Sequence, residues 1–216
     1  MNQNPAQAGT LFFGNRLKQC NGWKPTMLIY LHGLNSSGHS QKAAALREWL
    51  GLGRVLSPSY PAHQPNAAIA ELGTLFNRPR DKERPPIVVG SSMGGFYAQY
   101  LARRFTFAHL FLINPALTPW DLLQDYAGTL QTTAYGKTYR VDRELIESTR
   151  KYGIDTPCDG VPTTLFLDRG DEVIDYRVAE SLYRDCGRLL IFDGGDHSFQ
   201  HLEEAFAVIE EEVAKD

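Results

Sequence analysis

The sequence has no apolar run of about 18 residues, so no membrane-spanning helix is expected. Its first residues, 1–9, are polar and offer no apolar core for a secretory leader. Cysteine is scarce: the three present, Cys20, Cys158 and Cys186, are scattered, odd in number and form no CxxC pair. They read as reduced thiols of a cytoplasmic protein, not as a disulfide framework. There is no basic block and no acidic tail, and the net charge of -3 gives no electrostatic reason for a nucleic-acid or membrane partner. GxGxxG and HExxH are missing, and no Gly-Lys-Ser/Thr follows the loop His32 to Gly38, which argues against a nucleotide site there and against a metalloprotease centre. No internal repeat, low-complexity tract or linker divides the chain.

What remains is ordinary globular composition, 43% hydrophobic and 22% charged over 216 residues, enough for one domain with a substantial core. Apolar runs at 27–31, 87–89, 109–113, 163–167 and 189–192, with a weaker one at Val55-Leu56, read as six strands of a sheet. Helical patterns alternate with them. Residues 40–50 carry Ala43, Ala44, Leu46, Trp49 and Leu50 on an apolar face; Asn66 offers an N-cap for a helix over 67–76. Further helices are expected over 96–105 and 176–184. Residues 199–215 place Phe199, Leu202, Phe206, Ile209 and Val213 on one stripe. Alternation of this kind predicts a mostly parallel sheet covered on both faces. Residues 117–156 break the rhythm with several aromatics and two helical pieces, near 119–126 and 142–151. They read as a small helical cap inserted into a single domain spanning 1–216. Residues 10–13 read as a short edge strand.

The stretch Gly90-Ser91-Ser92-Met93-Gly94-Gly95 lies between a strand and a helix pattern. Gly-x-Ser-x-Gly in that context forces the central serine, Ser92, onto a sharp turn with its hydroxyl exposed. A serine hydroxyl needs a neighbouring base, and histidine has the right intrinsic pKa. Of the six histidines, His197 is favoured, because Asp193-Gly194-Gly195-Asp196-His197 forms a flexible loop between the last strand and the last helix. His197 and His201, four apart, would share a metal if both were helical, but a cap at Asp196 or Ser198 leaves His197 in the loop. The acid is expected just after the fifth strand, in Asp168-Arg169-Gly170-Asp171-Glu172-Val173-Ile174-Asp175. Asp171 is the choice, Asp168 and Asp175 the runners-up, and Glu172 a solvated neighbour. The oxyanion donors are assigned to the backbone N–H groups of Met93 and Leu34, the latter in the loop after the first long strand. His32 reads as a structural hydrogen-bonder beneath that loop. The order Ser92, Asp171, His197 is that of α/β-hydrolases.

The chain resembles the small α/β-hydrolases of the YqiA/YcfP-like bacterial esterase family. The resemblance rests on Tyr30-Leu31-His32-Gly33-Leu34-Asn35-Ser36-Ser37, on Gly90 to Tyr97, on Asn114-Pro115-Ala116, on Gly170 to Arg177, and on Gly194 to Phe199. It implies a serine esterase acting on simple acyl esters or acyl-CoA thioesters, with Ser92, Asp171 and His197 as nucleophile, acid and base, and with no cofactor or metal. Residues 1–26 are longer than the family pattern. A peptidase would need a charged anchor for a peptide terminus. A non-catalytic binding protein on the same fold would have no use for the full set of catalytic parts.

Overall fold

The computed structural model describes residues 27–78 and 84–215. The segment 10–13 and Cys20 lie outside the described residues. The sheet is built from β1 (Leu28–Leu31), β2 (Val55–Leu56), β3 (Ile87–Ser91), β4 (His109–Ile113), β7 (Thr163–Asp168) and β8 (Arg188–Phe192). Its order is β2-β1-β3-β4-β7-β8, and every pairing is parallel. A parallel sheet covered on both faces needs apolar residues pointing both ways, and these strands supply them by strict alternation. Ile29, Leu31, Val88, Leu110, Leu112 and Leu165 enter one core. Leu28, Tyr30, Ile87, Val89, Phe111 and Phe166 enter the other.

Helices α2 (Pro65–Phe76), α3 (Met93–Ala102) and α6 (Tyr176–Tyr183) cover the first face, through residues such as Leu72, Phe96 and Tyr183. Helices α1 (Gln41–Leu50) and α7 (Leu202–Val213) cover the second, through Leu46, Phe206 and Ile209. Four local expectations differ from what is seen. α7 starts at Leu202 instead of 199, because Phe199 sits at φ 64°, outside the helix. In α1 the buried residues are Ala43, Leu46 and Leu50, while Ala44 is exposed. Trp49 is also exposed at 42%, and its indole donates to Glu210 Oε2 at 3.1 Å. Asn66 is not the cap of α2: Pro65, whose ring presets a helical φ, starts the helix, and Asn66 Oδ1 instead accepts from the Tyr152 hydroxyl. α3 begins directly after Ser92, not at Phe96.

The insertion is only partly helical. It holds α4 (Pro119–Leu122), a 3-10 turn over Leu123–Tyr126, a hairpin of β5 (Leu130–Thr132) and β6 (Thr138–Arg140), and α5 (Arg143–Arg150). Leu123, Val141, Leu145 and Ile146 form its own small core. Tyr139 ties it to the loop after β1 by donating to Asn35 Oδ1 at 2.8 Å, and burial pushes its phenol pKa up to about 12.

The cysteine expectation is corrected. Cys158 and Cys186, 28 residues apart, form a disulfide with a Cα–Cα distance of 5.9 Å. They precede β7 and β8, which are parallel neighbours, so the start of one strand lies beside the start of the other.

Burial lowers the pKa of His32, His63 and His109. The unfolded chain then takes up protons near pH ~6.5 that the folded chain refuses, and linkage makes stability fall as pH drops through that value. The melting temperature is expected to hold above about pH 7 and decline from about pH 6.5 to 5. A profile flat across that interval would contradict the burial of neutral imidazoles. Among the described residues no helix is long and apolar enough to cross a membrane.

Candidate active site

The sheet reverses its winding between β1 and β3: the chain goes outward from β1 to the edge strand β2, then returns to pair β3 on the other side of β1. Ligands of open parallel sheets bind at such a switch point, beyond the carboxyl ends of the strands. The loop after β1 and the turn after β3 therefore meet there.

Ser92 has φ 53° and ψ -122°, a conformation that side-chain-bearing residues rarely adopt. The turn can be this tight because Gly90 and Gly94 lack side chains. A Cβ on Gly90 would come within 2.6 Å of the Gly95 Cα, and one on Gly94 would overlap the Leu31 carbonyl. Ser92 is held from both sides by backbone bonds: its N–H donates to the Ile113 carbonyl at 3.0 Å, and its carbonyl accepts from Ala116 N at 3.1 Å. Ser91 is not part of the turn; it ends β3 and is buried.

Gly33 lies against the serine, since a Cβ there would stand 3.6 Å from Ser92 Oγ. The N–H groups of its neighbour Leu34 and of Met93 have no acceptor among the described residues, and both residues line the same cavity as Ser92. His32, 1% exposed, sits beneath this loop as expected. Its Nδ1 faces the Gly33 carbonyl at 2.8 Å, its Nε2 faces Tyr60 N at 3.4 Å, and its ring stacks on Tyr60. Those two bonds require a neutral ring with the proton on Nδ1.

His197 is in the loop between β8 and α7, and Nδ1 lies 2.9 Å from Asp171 Oδ2. The Asp171 side chain is 1% exposed, and its Oδ1 accepts from Val173 N and Ile174 N. With Nδ1 engaged by the carboxylate, Nε2 is the nitrogen left for a proton from elsewhere. Ser92 and His197 open onto one cavity of about 840 Å³. Its walls include Leu34, Met93, Ile174 and, from the insertion, Pro119, Leu122 and Leu123.

The runner-up carboxylates are otherwise engaged. Asp168 is fully buried, accepts from Gln200 N at 2.9 Å and contacts His201 Nδ1 at 2.6 Å. Asp175 caps α6 through Arg177 N and pairs with the Arg177 guanidinium. His197 and His201 thus turn to different carboxylates, and His201 is the cap of α7, so the two do not share a helix face.

Two residues of the sequence motifs make supporting bonds. Asn114, at φ 39°, accepts from Asp168 N through Oδ1 and donates from Nδ2 to the Asp196 carbonyl, tying the end of β7 to the His197 loop. Glu172 is exposed, as expected, but its Oε2 accepts from His197 N at 3.1 Å. Both lie within the quoted motifs, Asn114-Pro115-Ala116 and Gly170 to Arg177, but nothing in their spacing announces these bonds.

The architecture is that of the α/β-hydrolases. Mouse alpha/beta hydrolase domain-containing protein 10 is similar, with a TM-score of 0.70 at 15% identity over 89% of this chain and 92% of that one. Est1E from Butyrivibrio proteoclasticus, in a structure with ferulic acid bound, gives 0.67 at 14% identity over 89% of each chain. The esterase domain of a Rhodothermus marinus protein gives 0.60 at 17% identity over 88% of this chain and 85% of that one. At such identities the likeness is one of fold. The match to the uncharacterised protein family UPF0227 is one of sequence and runs over residues 27–211, so the chain belongs to that family, in keeping with its YqiA-like motifs.

Proposed function

We propose that the protein is a serine hydrolase of carboxylic esters. The observation that carries this reading is the strained Ser92, on one cavity with His197, which is paired to the buried Asp171 carboxylate, and with two unpartnered backbone N–H groups. The similar fold of the Rhodothermus marinus esterase domain supports it. In the first step Ser92 Oγ bonds to the ester carbonyl carbon while His197 Nε2 takes the hydroxyl proton. The negative charge that develops on the carbonyl oxygen is received by Met93 N–H and Leu34 N–H, and Asp171 stabilises the imidazolium. The C–O bond to the alcohol then breaks, and His197 returns its proton to the leaving alcohol. Water, deprotonated by His197, attacks the acyl-serine; collapse releases the acid and restores Ser92.

None of these steps draws on a metal or cofactor. The same chemistry cleaves a thioester, so the test includes both. p-Nitrophenyl esters and acyl-CoA thioesters of increasing chain length are expected to be hydrolysed with a length optimum, because the acyl chain must fit beneath the insertion. Cleavage of no ester and no thioester at any length would overturn the reading.

A further inference from the structure

Lys42 has no part in the chemistry above. It is the second residue of α1 and faces the cavity shared by Ser92 and His197. Among the described residues that line this cavity, none is Asp, Glu or Arg, and Lys42 is the lone lysine. The cavity's one permanent charge is therefore positive. No hydrogen bond or ion pair engages Lys42 among the described residues, and the first turn of α1 holds no acidic residue to neutralise it. Burial lowers its pKa, and the nearby charges of Asp196, Asp171 and Asp168 oppose that shift. None of these carboxylates contacts Lys42: Asp171 is engaged by His197, Asp168 by His201 and Asp196 Oδ2 by Gln200, while Asp196 Oδ1 is buried without a hydrogen-bond partner among the described residues. A largely buried ammonium without a contact partner is unfavourable, and an anion brought by a ligand relieves it.

We propose that the substrate carries a carboxylate and that Lys42 binds it while the ester carbonyl lies at Ser92. This rests on the reading of Ser92 as the nucleophile. A carboxylate suits the site better than a dianionic phosphate, because one lysine balances one negative charge and a second would be left uncompensated in a half-enclosed space. The apolar wall from Pro119, Leu122 and Leu123 accommodates the hydrocarbon between ester and carboxylate. The substrate class is thus a half-ester of a dicarboxylic acid, or an ester whose alcohol bears an acid group.

Two matched pairs separate those sources. p-Nitrophenyl hemiadipate against p-nitrophenyl hexanoate puts the charge on the acyl side. 4-Carboxyphenyl butyrate against phenyl butyrate puts it on the leaving group. In one pair the wild-type kcat/KM is expected to favour the anion by about tenfold or more. Lys42→Met should remove that preference and Lys42→Arg should keep part of it. The ratio within each variant is its own control for folding. A wild type that prefers the neutral ester in both pairs, or a ratio that Lys42→Met leaves unchanged, overturns the proposal.

Binding is read separately, by calorimetry on the Ser92→Ala protein with monomethyl adipate and methyl hexanoate. Tighter binding of the anion, abolished by adding Lys42→Met, supports the lysine's role even if no ester is hydrolysed, in which case the nucleophile reading alone falls. Equal binding of both ligands alongside normal ester hydrolysis overturns the lysine's role alone.

Discussion

Replacing Ser92 with alanine is expected to lower kcat on the best p-nitrophenyl ester by about five to six orders of magnitude. The loss is this large because the substitution removes the atom that forms the acyl-enzyme, leaving only the residual acceleration from oxyanion donors and binding, about a thousand- to ten-thousand-fold over water. The fold should survive. Alanine carries the same Cβ into the same left-handed backbone, so the strain is neither added nor removed. The bonds that fix the turn, from Ser92 N to Ile113 and from Ala116 N to the Ser92 carbonyl, are made by the backbone. The melting temperature of Ser92→Ala should therefore lie close to wild type while turnover collapses. An alanine variant within tenfold of wild-type kcat would remove Ser92 from the chemistry.

The second large effect separates two buried carboxylates that look alike in sequence. Asp171→Asn is expected to lower kcat by about ten-thousand-fold. Val173 N and Ile174 N both donate to Oδ1, so an asparagine there keeps its carbonyl oxygen on them and turns its amide toward His197 Nδ1. Donor would then face donor unless His197 moved its proton to Nε2, and that tautomer cannot accept a proton from Ser92. Asp168→Asn should behave differently. Asp168 Oδ2 accepts from Gln200 N and Oδ1 faces His201, with no exposure to solvent, so the variant should melt lower yet keep far more of its turnover. Kinetics and melting curves of the two variants decide the matter. A reversed pattern, with Asp168→Asn the inactive one, would make Asp168 the acid.

Much of this was legible in the chain. Strands buried on both faces are continuous apolar runs, and β4 was bounded correctly because Asn114-Pro115 stops it. Ser92, Asp171 and His197 stand out because each follows a strand, and a parallel sheet gathers all such positions at one edge. The hairpin of β5 and β6 was not legible: its strands are three residues each and mostly exposed, with Leu130 at 62%, so no buried alternation marks them. The start of α3, three residues before the Phe96 that the pattern suggests, is hidden because Met93, Gly94 and Gly95 look like turn residues until the close approach to Leu31 is seen. The pairing of Cys158 with Cys186 depends on β7 and β8 being neighbours, which spacing alone does not dictate. Nothing in the sequence singles out Lys42, a lysine near the start of a helix; only the cavity gives it a setting.

The central claim is that Ser92 is the nucleophile activated by His197. It is tested most directly by treating the protein with a fluorophosphonate and locating the adduct by peptide mass spectrometry. The account predicts one phosphonyl group, on Ser92, formed in the wild type and at a strongly reduced rate in His197→Ala. An adduct on Ser91 or elsewhere, or equal labelling of the two proteins, would contradict it.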